Sequence, residues 1–320
     1  MISIIIPQFN AERNIIALLD SLDQQSFRDF EVVVVDDGST DRSKELVEKN
    51  VSRYHFSLSL ISQQNAGPAT ARNVGVDNAK GDIIIFLDSD CIPPPGWIDE
   101  MIRPLTGDVA GCNCGYRVKN QESLIARYID YEIARRHERL NKDNIDTVGS
   151  YSASFIREIF RKAGGFNTDY RTASGEDFDL SFNIHKLGYR LVFTDRTFVF
   201  HYHPDSLYKF LRQQFFRGYW RVPLYAQNKD KIYRGDSYTG FEPQVQFILS
   251  LLAVLGISLS PINPVFLILP TLLLVSNIPL GMWTFKKEQK FIIIAPVIAS
   301  LRSLAGTLGV AYYFVRKVIP

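Results

Sequence analysis

Charged residues are absent from one long stretch of this 320-residue chain, since positions 243–285 contain no Asp, Glu, Lys or Arg. A membrane-spanning helix needs about 20 predominantly apolar residues, so the stretch has room for two such helices. The sequence SPINP at 260–264 predicts a turn between them. The missing charge argues against a wholly soluble protein. Such a protein would have to bury this entire uncharged stretch in addition to the apolar core that the rest of the chain forms.

Two further absences concern cysteine and a secretion signal. The chain has three cysteines, and Cys91, Cys112 and Cys114 have no further Cys or His nearby at zinc-site spacing, so we expect reduced, structural thiols. Residues 1–6 are too short for the apolar segment of a secretory signal, and Pro7 follows at once. We therefore expect the amino-terminal portion to stay in the cytoplasm.

Short apolar runs alternate with helix-type segments from the amino terminus onward. The runs are mostly β-branched and nearly continuous, which suits strands buried on both faces. The predicted strands are residues 2–6, 31–35, 58–61 and 82–87. The predicted helices are residues 11–25, 41–53 and 68–78. This order predicts an α/β fold with a mainly parallel, doubly wound sheet and helices on both faces.

Polar side chains follow three of the predicted strands. The first strand ends in PQFN at 7–10, the second in DDGSTD at 36–41, and the fourth in DSD at 88–90. Ligands of doubly wound sheets bind beyond the carboxyl ends of the strands. The three strand ends therefore predict one binding site along a single edge of the sheet.

The same strand ends lack a glycine-rich phosphate loop, because neither G-x-G-x-x-G nor G-x-x-x-x-G-K-[ST] follows any of them. A bound diphosphate would then be neutralised by a divalent cation. Asp88 and Asp90 project from the same side of an extended chain, and carboxylate oxygens suit Mg²⁺ or Mn²⁺. An isolated D-x-D is common, and capping of the following turn is the alternative role of this pair.

Five motifs stand in one order along the chain. They are IIIPQFN at 4–10, VVVVDDGSTD at 32–41, GPATARNVG at 67–75, FLDSD at 86–90, and GGF at 164–166 with GEDFDL at 175–180. Together they resemble the inverting GT-A glycosyltransferases of family 2. The resemblance covers roughly residues 2–220 and implies a GT-A-type, Rossmann-like catalytic domain, placed at 1–220. The basic residues that follow and the apolar carboxyl-terminal region predict a basic juxtamembrane linker at 221–242 and C-terminal transmembrane or interfacial helices at 243–320.

The resemblance also implies a nucleotide pocket. Asp37 would recognise the base, and Pro7 and Asn10 would line the same pocket. Asp41 is placed to cap the second helix, which leaves Asp37 for the nucleotide, although capping by Asp37 is the alternative. Arg72 would lie near the nucleotide and either pair with phosphate or orient Asp37. A plain surface salt bridge is the alternative for Arg72.

The metal site implied by the resemblance centres on Asp90. Asp88 would contact the Mn²⁺ or Mg²⁺ ion through water or hold the donor sugar, and the ion would neutralise charge on the departing diphosphate. His201 and His203 are two residues apart, hence on one face of an extended segment. Members of the family often place a metal-binding histidine here, and His201 fits slightly better. An ordinary, partly buried imidazole is the alternative.

Three acids compete for the role of general base, and the resemblance selects Asp177 from them. It would take the proton from the acceptor hydroxyl during one in-line displacement that inverts the anomeric configuration. Glu176 would lie on the substrate side and orient the loop. Asp179 would face solvent or the dipole at the helix amino terminus.

A further motif, FLRQQFFRGYWR at 210–221, partly matches the Q-x-x-R-W sequence of processive members of the family. Gln214 and Arg217 fit it, but the tryptophan is missing after Arg217, which weakens the case for polymerisation. Two roles remain open for this segment. It would be an interfacial amphipathic helix, or it would bind an acceptor diphosphate through Gln214 and Arg217.

The carboxyl-terminal region predicts a multi-pass protein of the cell membrane with a cytoplasmic catalytic domain. Spans at about 245–260 and 264–284 would form a hairpin, and the basic loop at 286–290 would lie inside. A third apolar stretch, 291–315, contains Arg302, which costs about 2.5–3.5 kcal/mol at the centre of a span. This stretch would lie in the interface, re-enter, or span with Arg302 facing protein.

These features predict transfer of a sugar from a nucleotide-diphosphate donor, with UDP favoured, to a lipid-linked or saccharide acceptor at the cytoplasmic leaflet. Membrane lipids would be partners, because residues 208–234 carry seven basic residues against one acid. Nucleic acid is not an expected partner. The alternatives are a processive polysaccharide synthase and a noncatalytic scaffold that binds nucleotide sugar, while a nucleotidyltransferase is disfavoured by the missing glycine-rich loop.

Overall fold

A computed structural model describes residues 1–170, 175–229 and 242–318. Their contacts divide the chain into two compact units. The first, here called the sheet unit, comprises the described residues of Met1–Lys119 and His137–Tyr202. The second, here called the helical unit, comprises the described residues of Asn120–Arg136 and His203–Pro320.

The sheet unit holds, within its described residues, a sheet of eight strands in the order β3-β2-β1-β4-β7-β6-β8-β5. The strands are β1 Ile2–Gln8, β2 Phe30–Asp36, β3 Ser57–Ser62, β4 Ile83–Leu87, β5 Cys91–Ile92, β6 Val109–Val118, β7 Ser152–Ile156 and β8 Arg190–His201. The first four are mutually parallel, as predicted. Beyond β4 the sheet is mixed, because β7 is antiparallel to both β4 and β6 and β5 is antiparallel to β8.

Helices cover the sheet unit. They are α1 Ile15–Asp23, α2 Ser43–Asn50, α3 Pro68–Asn78, α4 Trp97–Ile102, α6 Arg157–Lys162 and α7 Glu176–Lys186. The predicted α3 has the observed bounds, with Pro68 in its first turn. The first two helices begin later than predicted, at Ile15 and Ser43. Asp41 accepts hydrogen bonds from the backbone N–H groups of Glu12 (3.1 Å) and Ser43 (2.9 Å). Asp41 therefore accepts the N–H of the first residue of α2, although the capping position itself is occupied by Arg42, whose side chain makes no capping hydrogen bond.

Both faces of the parallel strands are buried. Ile4 and Ile6 pack into one core cluster, while Ile5 on the opposite face packs into another. All three side chains are fully buried. This explains why the strands read as continuous apolar runs instead of alternating sequences.

The helical unit consists of helices in its described part. They are α5 Leu124–His137, of which His137 belongs to the sheet unit, α8 Leu207–Gln227, α9 Glu242–Leu259, a 3₁₀ turn Pro264–Leu267, α10 Ile268–Ser276, α11 Ile278–Phe285 and α12 Phe291–Val318. Three segments of the described residues are long and apolar enough to cross a membrane: Glu242–Leu259, Pro264–Phe285 and Phe291–Lys317. These correspond to the three predicted apolar stretches.

The third stretch is one continuous helix, α12, and its arginine faces protein. The Arg302 side chain is 14% exposed, forms an ion pair with Glu132 of α5, and lies 3.9 Å from Glu242 Oε1. Of the three predicted arrangements, the observed contacts fit a helix that turns Arg302 toward protein. Because the charge is paired inside the unit, it need not be exposed to an apolar phase.

The predicted domain boundaries at 220 and 242 stay predictions. The helix α8 runs through position 220 without interruption and belongs to the helical unit. Residues 230–241 of the predicted linker lie outside the described residues.

The helices α8 and α12 approach each other closely at glycines. A Cβ atom added to Gly218 would lie 2.0 Å from the backbone oxygen of Gly306, and one added to Gly309 would lie 1.9 Å from that of Phe215. A Cβ on Gly306, by contrast, would meet nothing nearer than the Gln214 oxygen at 3.8 Å. Small residues thus let the two backbones touch, as at many helix pairs in membranes.

We expect Gly218→Ala to destabilise the protein by about 1–3 kcal/mol, because the methyl group meets backbone that cannot move aside without separating the helices. Gly306→Ala is the matched control at the same crossing, where alanine fits and favours the helix by about 0.5–1 kcal/mol. Thermal unfolding of detergent-purified protein measures both. Equal melting temperatures for the two variants would contradict this packing.

Candidate active site

The carboxyl ends of β1 and β2 are joined by hydrogen bonds. The two strands run in parallel register with Gln8 beside Asp36. Gln8 Nε2 donates to Asp36 Oδ1 at 2.9 Å, and the backbone N–H of Asp37 donates to the backbone oxygen of Gln8 at 2.8 Å. The predicted convergence of these strand ends at one edge is therefore observed.

Asp37 is buried and engaged by the loop that precedes α3. Its Oδ1 accepts hydrogen bonds from Gln63 Nε2 (2.7 Å) and the Ala66 N–H (2.8 Å), and its Oδ2 accepts one from the Gly67 N–H (2.9 Å). Asp37 therefore fixes the loop against the end of β2 and does not cap α2. Its predicted contact with a nucleotide base stays a prediction.

Pro7 and Asn10 lie at the same edge, Pro7 half-buried and Asn10 exposed. Asn10 has a left-handed backbone (φ 53°), which asparagine tolerates better than most residues. Its Oδ1 accepts a hydrogen bond from the Thr40 N–H at 2.8 Å, and its N–H donates to Ser39 Oγ at 3.0 Å. These contacts hold the loop after β1 against the loop after β2.

Arg72 of α3 is the central buried charge of the site. Its side chain is almost completely buried, Nη2 donates to Asp88 Oδ1 at 2.8 Å, and Nη1 donates to Glu176 Oε1 at 3.1 Å. Burial lowers the pKa of the guanidinium, but Asp88 and Glu176 raise it by more, so Arg72 stays charged. Because Arg72 is buried, the alternative prediction of a surface salt bridge for this residue is wrong. Its observed partners are Asp88 and Glu176. Asp37 is instead held by the loop before α3.

Asp90 and His201 come together where β5 pairs with β8. Cys91 lies opposite His201 in that antiparallel pair, and Asp90 Oδ1 is 3.5 Å from His201 Nε2. One ligand atom from each of Asp90, Cys91 and His201 lies within 4.8 Å of the others. The Tyr116 ring packs against the imidazole in an edge-to-face contact, with centroids 5.0 Å apart.

The donor set fits a divalent ion. Desolvation raises the pKa of Asp90, the nearby His201 lowers it, and the negative charge of Asp88 raises it further. A bound cation would relieve the repulsion between the Asp88 and Asp90 carboxylates. Asp88 is joined to Arg72 through Oδ1 and keeps 30% of its side chain exposed. Carboxylate oxygens combined with an imidazole suit Mn²⁺ better than Mg²⁺, which prefers oxygen ligands. Cys91 is fully buried, and burial raises the pKa of its thiol.

The two histidines predicted as metal ligands, His201 and His203, belong to different units. His201 ends β8 in the sheet unit and is the histidine of the metal-capable group. His203 belongs to the helical unit, where it is buried and its backbone exchanges hydrogen bonds with the Asn120 side chain at 3.0 and 2.9 Å.

The start of α7 carries the three candidate acids. Gly175, with φ of 105°, precedes the helix, and residues 171–174 lie outside the described residues. Glu176 is buried against Arg72, whereas Asp177 is half-buried and accepts a hydrogen bond from the Phe178 N–H at 2.9 Å. Asp179 is buried, which raises its pKa, so it does not face solvent as expected. Through Arg72, the start of α7 is joined to Asp88.

Gln214 and Arg217 lie on α8 in the helical unit, where both line a cavity. Their predicted role in substrate binding stays a prediction.

Two residues that contribute to the site, Gln63 and Tyr116, were not among the predictions, and Cys91 was expected to be only a structural thiol. Gln63 directly follows β3, so the rule applied to the other strand ends would have found it. Cys91 follows the D-x-D motif directly. Tyr116 reaches His201 through the parallel pairing of β6 and β8, which the sequence does not reveal.

Comparison with known proteins establishes the class. The family model described as Glycosyl transferase family 2 matches residues 3–164, just over half of the chain. The chain therefore belongs to glycosyl transferase family 2. Among curated relatives, glycosyltransferase AglE of Haloferax volcanii is 27% identical over 240 residues, covering 73% of this chain and 77% of AglE. EpsH of Bacillus subtilis is matched over 50% of its length and TarS of Staphylococcus aureus over 16%.

Solved structures support the GT-A-like fold. The mannosyltransferase PcManGT from Pyrobaculum calidifontis, in complex with GDP-Man and Mn²⁺, has a TM-score of 0.66 at 21% identity and covers 99% of this chain and 87% of its own. Residues 1–349 of TarS from Staphylococcus aureus, in complex with UDP-GlcNAc, have a TM-score of 0.50 at 16% identity and cover 99% and 92%. The predicted fold class is confirmed.

We expect Arg72→Gln to lower stability by about 3–5 kcal/mol, because it leaves the buried carboxylate of Glu176 without its counter-charge. Arg190→Gln is the matched control. Arg190 also donates two hydrogen bonds to a carboxylate, that of Asp108 (2.6 and 2.7 Å), but on the exposed surface, where solvent screens the pair and its loss should change stability little. Thermal unfolding measures both. A loss for Arg72→Gln no larger than the control's would contradict the central role of this residue.

Proposed function

We propose that the protein is a membrane-anchored, inverting, metal-dependent glycosyltransferase that moves a sugar from a nucleoside-diphosphate donor to a lipid-linked or saccharide acceptor. The observation that carries this proposal is the guanidinium of Arg72, which bonds Asp88 of the D-x-D motif and Glu176 at the start of α7. One buried charge thus holds the donor side of the site next to the helix that carries Asp177.

The ends of β1 and β2 supply the donor pocket in this proposal. Asp37 and its partner loop would present the base-binding surface, with Pro7 and Asn10 beside it. PcManGT was solved with GDP-Man and TarS with UDP-GlcNAc, so related folds accept either base. We retain a UDP-linked sugar as the first donor to test, and a GDP-linked sugar as the second.

Asp90 and His201 would hold Mn²⁺, with Asp88 beside them. When bound, the ion supplies charge neutralisation at the leaving diphosphate. The chain's own contribution is to orient the ligands, since Tyr116 fixes the imidazole and Arg72 fixes one oxygen of Asp88. Ligands held in this way lose little further freedom when the donor arrives.

Asp177 would act as the general base. Its carboxylate is half-buried at the amino terminus of α7, and it interacts electrostatically with Arg72. The amino terminus of the helix carries a partial positive charge, which attracts a carboxylate at this position. It would receive the proton of the acceptor hydroxyl while that oxygen forms a bond to the anomeric carbon and the diphosphate departs from the opposite face.

The helical unit would anchor the protein in the cell membrane by several spans, with the catalytic residues on the cytoplasmic side. This arrangement is supported by three apolar segments of sufficient length and by Arg302, whose side chain pairs with Glu132 inside the helical unit. The basic residues at 286–290 would lie at the cytoplasmic surface. An enzyme placed there meets acceptors that are held in the inner leaflet.

The proposal is tested by incubating the detergent-purified chain with UDP- and GDP-linked sugars, membrane lipid extract, and Mn²⁺, Mg²⁺ or EDTA. We expect one donor to release its nucleoside diphosphate, with Mn²⁺ supporting more activity than Mg²⁺ and EDTA abolishing it. The product should carry the anomeric configuration opposite to that of the donor, as read by NMR. A chain that consumes no donor under any condition would refute the proposal, and full activity in EDTA would refute its metal dependence.

Asp177→Asn should lower kcat by about 10²–10⁴-fold, because the amide cannot accept the proton, while donor affinity stays unchanged. Asp179→Asn, two residues along the same helix, is the control and should keep most of the activity. Initial rates with saturating donor and acceptor measure kcat, and a thermal-shift titration measures donor affinity. Loss of activity in Asp179→Asn but not in Asp177→Asn would assign the base to the other acid.

A further inference from the structure

The thiol of Cys91 has no part in the proposed sugar transfer, yet it lies within the metal-capable group. Cys91 directly follows Asp90 and stands opposite His201 in the antiparallel pair of β5 and β8. Side chains that stand opposite each other in such a pair project from the same face of the sheet. Cys91 Sγ is 3.8 Å from Asp90 Oδ1, which is itself 3.5 Å from His201 Nε2. A carboxylate, a thiol and an imidazole therefore converge on one point.

The separations between these atoms are those of a tetrahedral zinc site. Zinc binds carboxylate oxygen and imidazole nitrogen at about 2.0–2.2 Å and thiolate sulfur at about 2.3 Å. At the tetrahedral angle, these bond lengths place the oxygen about 3.4 Å from the nitrogen and about 3.6 Å from the sulfur. The observed separations of 3.5 and 3.8 Å agree with these values within about 0.2 Å. An ion could therefore bind all three groups with little movement of the chain.

The surroundings hold the thiol and the imidazole in place and leave the carboxylate open. Cys91 is fully buried in the core cluster that also contains Val199. The Tyr116 ring packs edge-to-face against His201 and stacks on Tyr151, with the two tyrosine centroids 3.6 Å apart. The Asp90 side chain, in contrast, is 40% exposed. An ion can thus enter past Asp90 and meet two ligands whose orientation is already fixed.

The thiol changes which metals the group prefers. Thiolate is a soft ligand that selects zinc and related ions, whereas Mn²⁺ prefers carboxylate and other oxygen ligands. Divalent zinc also binds more tightly than Mn²⁺ at a given site of nitrogen, oxygen and sulfur ligands. Three protein ligands leave a fourth tetrahedral position for water. A group with one oxygen, one nitrogen and one sulfur is therefore a better site for zinc than for manganese.

We propose that Asp90, Cys91 and His201 together bind Zn²⁺, with the Cys91 sulfur as a ligand, and that zinc bound in this way excludes Mn²⁺ from the metal site. Binding forms a zinc–sulfur bond and releases the thiol proton to solvent. Cys91 thus makes the site sensitive to thiophilic metals. The coordination itself is independent of the proposed function, and only its consequence, displacement of the activating ion, rests on that function.

The first test identifies the sulfur ligand in the full chain, purified in detergent and freed of metal with a chelator. Cadmium and cobalt are the probes, because their bonds to thiolate absorb ultraviolet light by charge transfer and their bonds to oxygen or nitrogen do not. We expect this absorption to saturate with one ion per chain. X-ray absorption of the zinc-loaded chain should find one sulfur at about 2.3 Å from the metal. Zinc surrounded by oxygen and nitrogen alone would overturn the proposal.

Cys91→Ser should abolish the charge-transfer absorption. It should also weaken zinc binding by about 100-fold or more, since even groups outside the coordination sphere contribute about 10–100-fold to metal affinity. The affinity for Mn²⁺, measured by electron paramagnetic resonance, should change far less, because Mn²⁺ prefers oxygen ligands. Equal losses of affinity for the two metals would indicate a general disturbance of the site and would overturn the assignment of the sulfur.

Cys112→Ser is the matched control. Cys112 is also fully buried in a strand of the same sheet, but its Sγ contacts the backbone oxygen of Asn113 at 3.6 Å and is outside the metal-capable group. This variant should keep both the absorption and the zinc affinity. Loss of the absorption in Cys112→Ser but not in Cys91→Ser would overturn the site. If Cys91→Ser does not fold, X-ray absorption of the unaltered chain still decides.

The second test measures the exclusion of manganese. Zinc added to the Mn²⁺-loaded chain should release free Mn²⁺, which electron paramagnetic resonance detects, and Mn²⁺ that stays bound at saturating zinc would overturn the exclusion. Failure of the proposed function is distinguishable, because donor consumption is measured separately. A chain that consumes donor but forms no zinc–sulfur bond refutes the role of Cys91 alone. A chain that forms this bond but consumes no donor refutes the glycosyltransferase proposal.

Discussion

The architecture of the site depends on one buried guanidinium. Arg72 is a charge removed from water, and that removal is compensated only because Asp88 and Glu176 both contact it. The three residues come from α3, the end of β4 and the start of α7. A shift of any of these elements would leave a charge buried without its partner. The relative placement of the D-x-D motif and the start of α7 is therefore constrained by this pair of charged contacts.

The sequence predicts the parallel half of the sheet well because its signals are local. The strands β1, β2 and β4 are buried on both faces, so each is a short apolar run that can be recognised by itself. The antiparallel half is different. Glycine and asparagine interrupt β6, its pairing with β8 shifts register between Cys114 and Gly115, and β5 has two residues. Such strands are defined by their neighbours, so their positions could not be derived from local pattern.

The candidate site also depends on both local and non-local features. The sequence shows which types of residue are present, but not which residues contact each other in the fold. Strand ends and the family resemblance single out Asp37, Arg72, Asp88 and Asp90 in the sequence, but they do not indicate the partners of these residues. Asp37 is held mainly by backbone N–H groups at Ala66 and Gly67, and no side-chain pattern marks a backbone donor. Arg72 meets Glu176 across 104 positions of sequence. Which charges meet depends on the folded chain, whereas the presence of charge is visible beforehand.

Arg302 and Arg221 extend this reasoning to the helical unit. An arginine in an apolar environment needs a counter-charge, and Arg302 obtains one from Glu132, 170 positions away. Arg221 lines the same cavity as Arg302 without an ion pair in the described part of the chain. The fold thus neutralises one cation internally and leaves another beside an amide donor that also lacks an acceptor. The amide requires only a hydrogen-bond acceptor, whereas the guanidinium favours an anionic one, so the two groups differ in what would satisfy them.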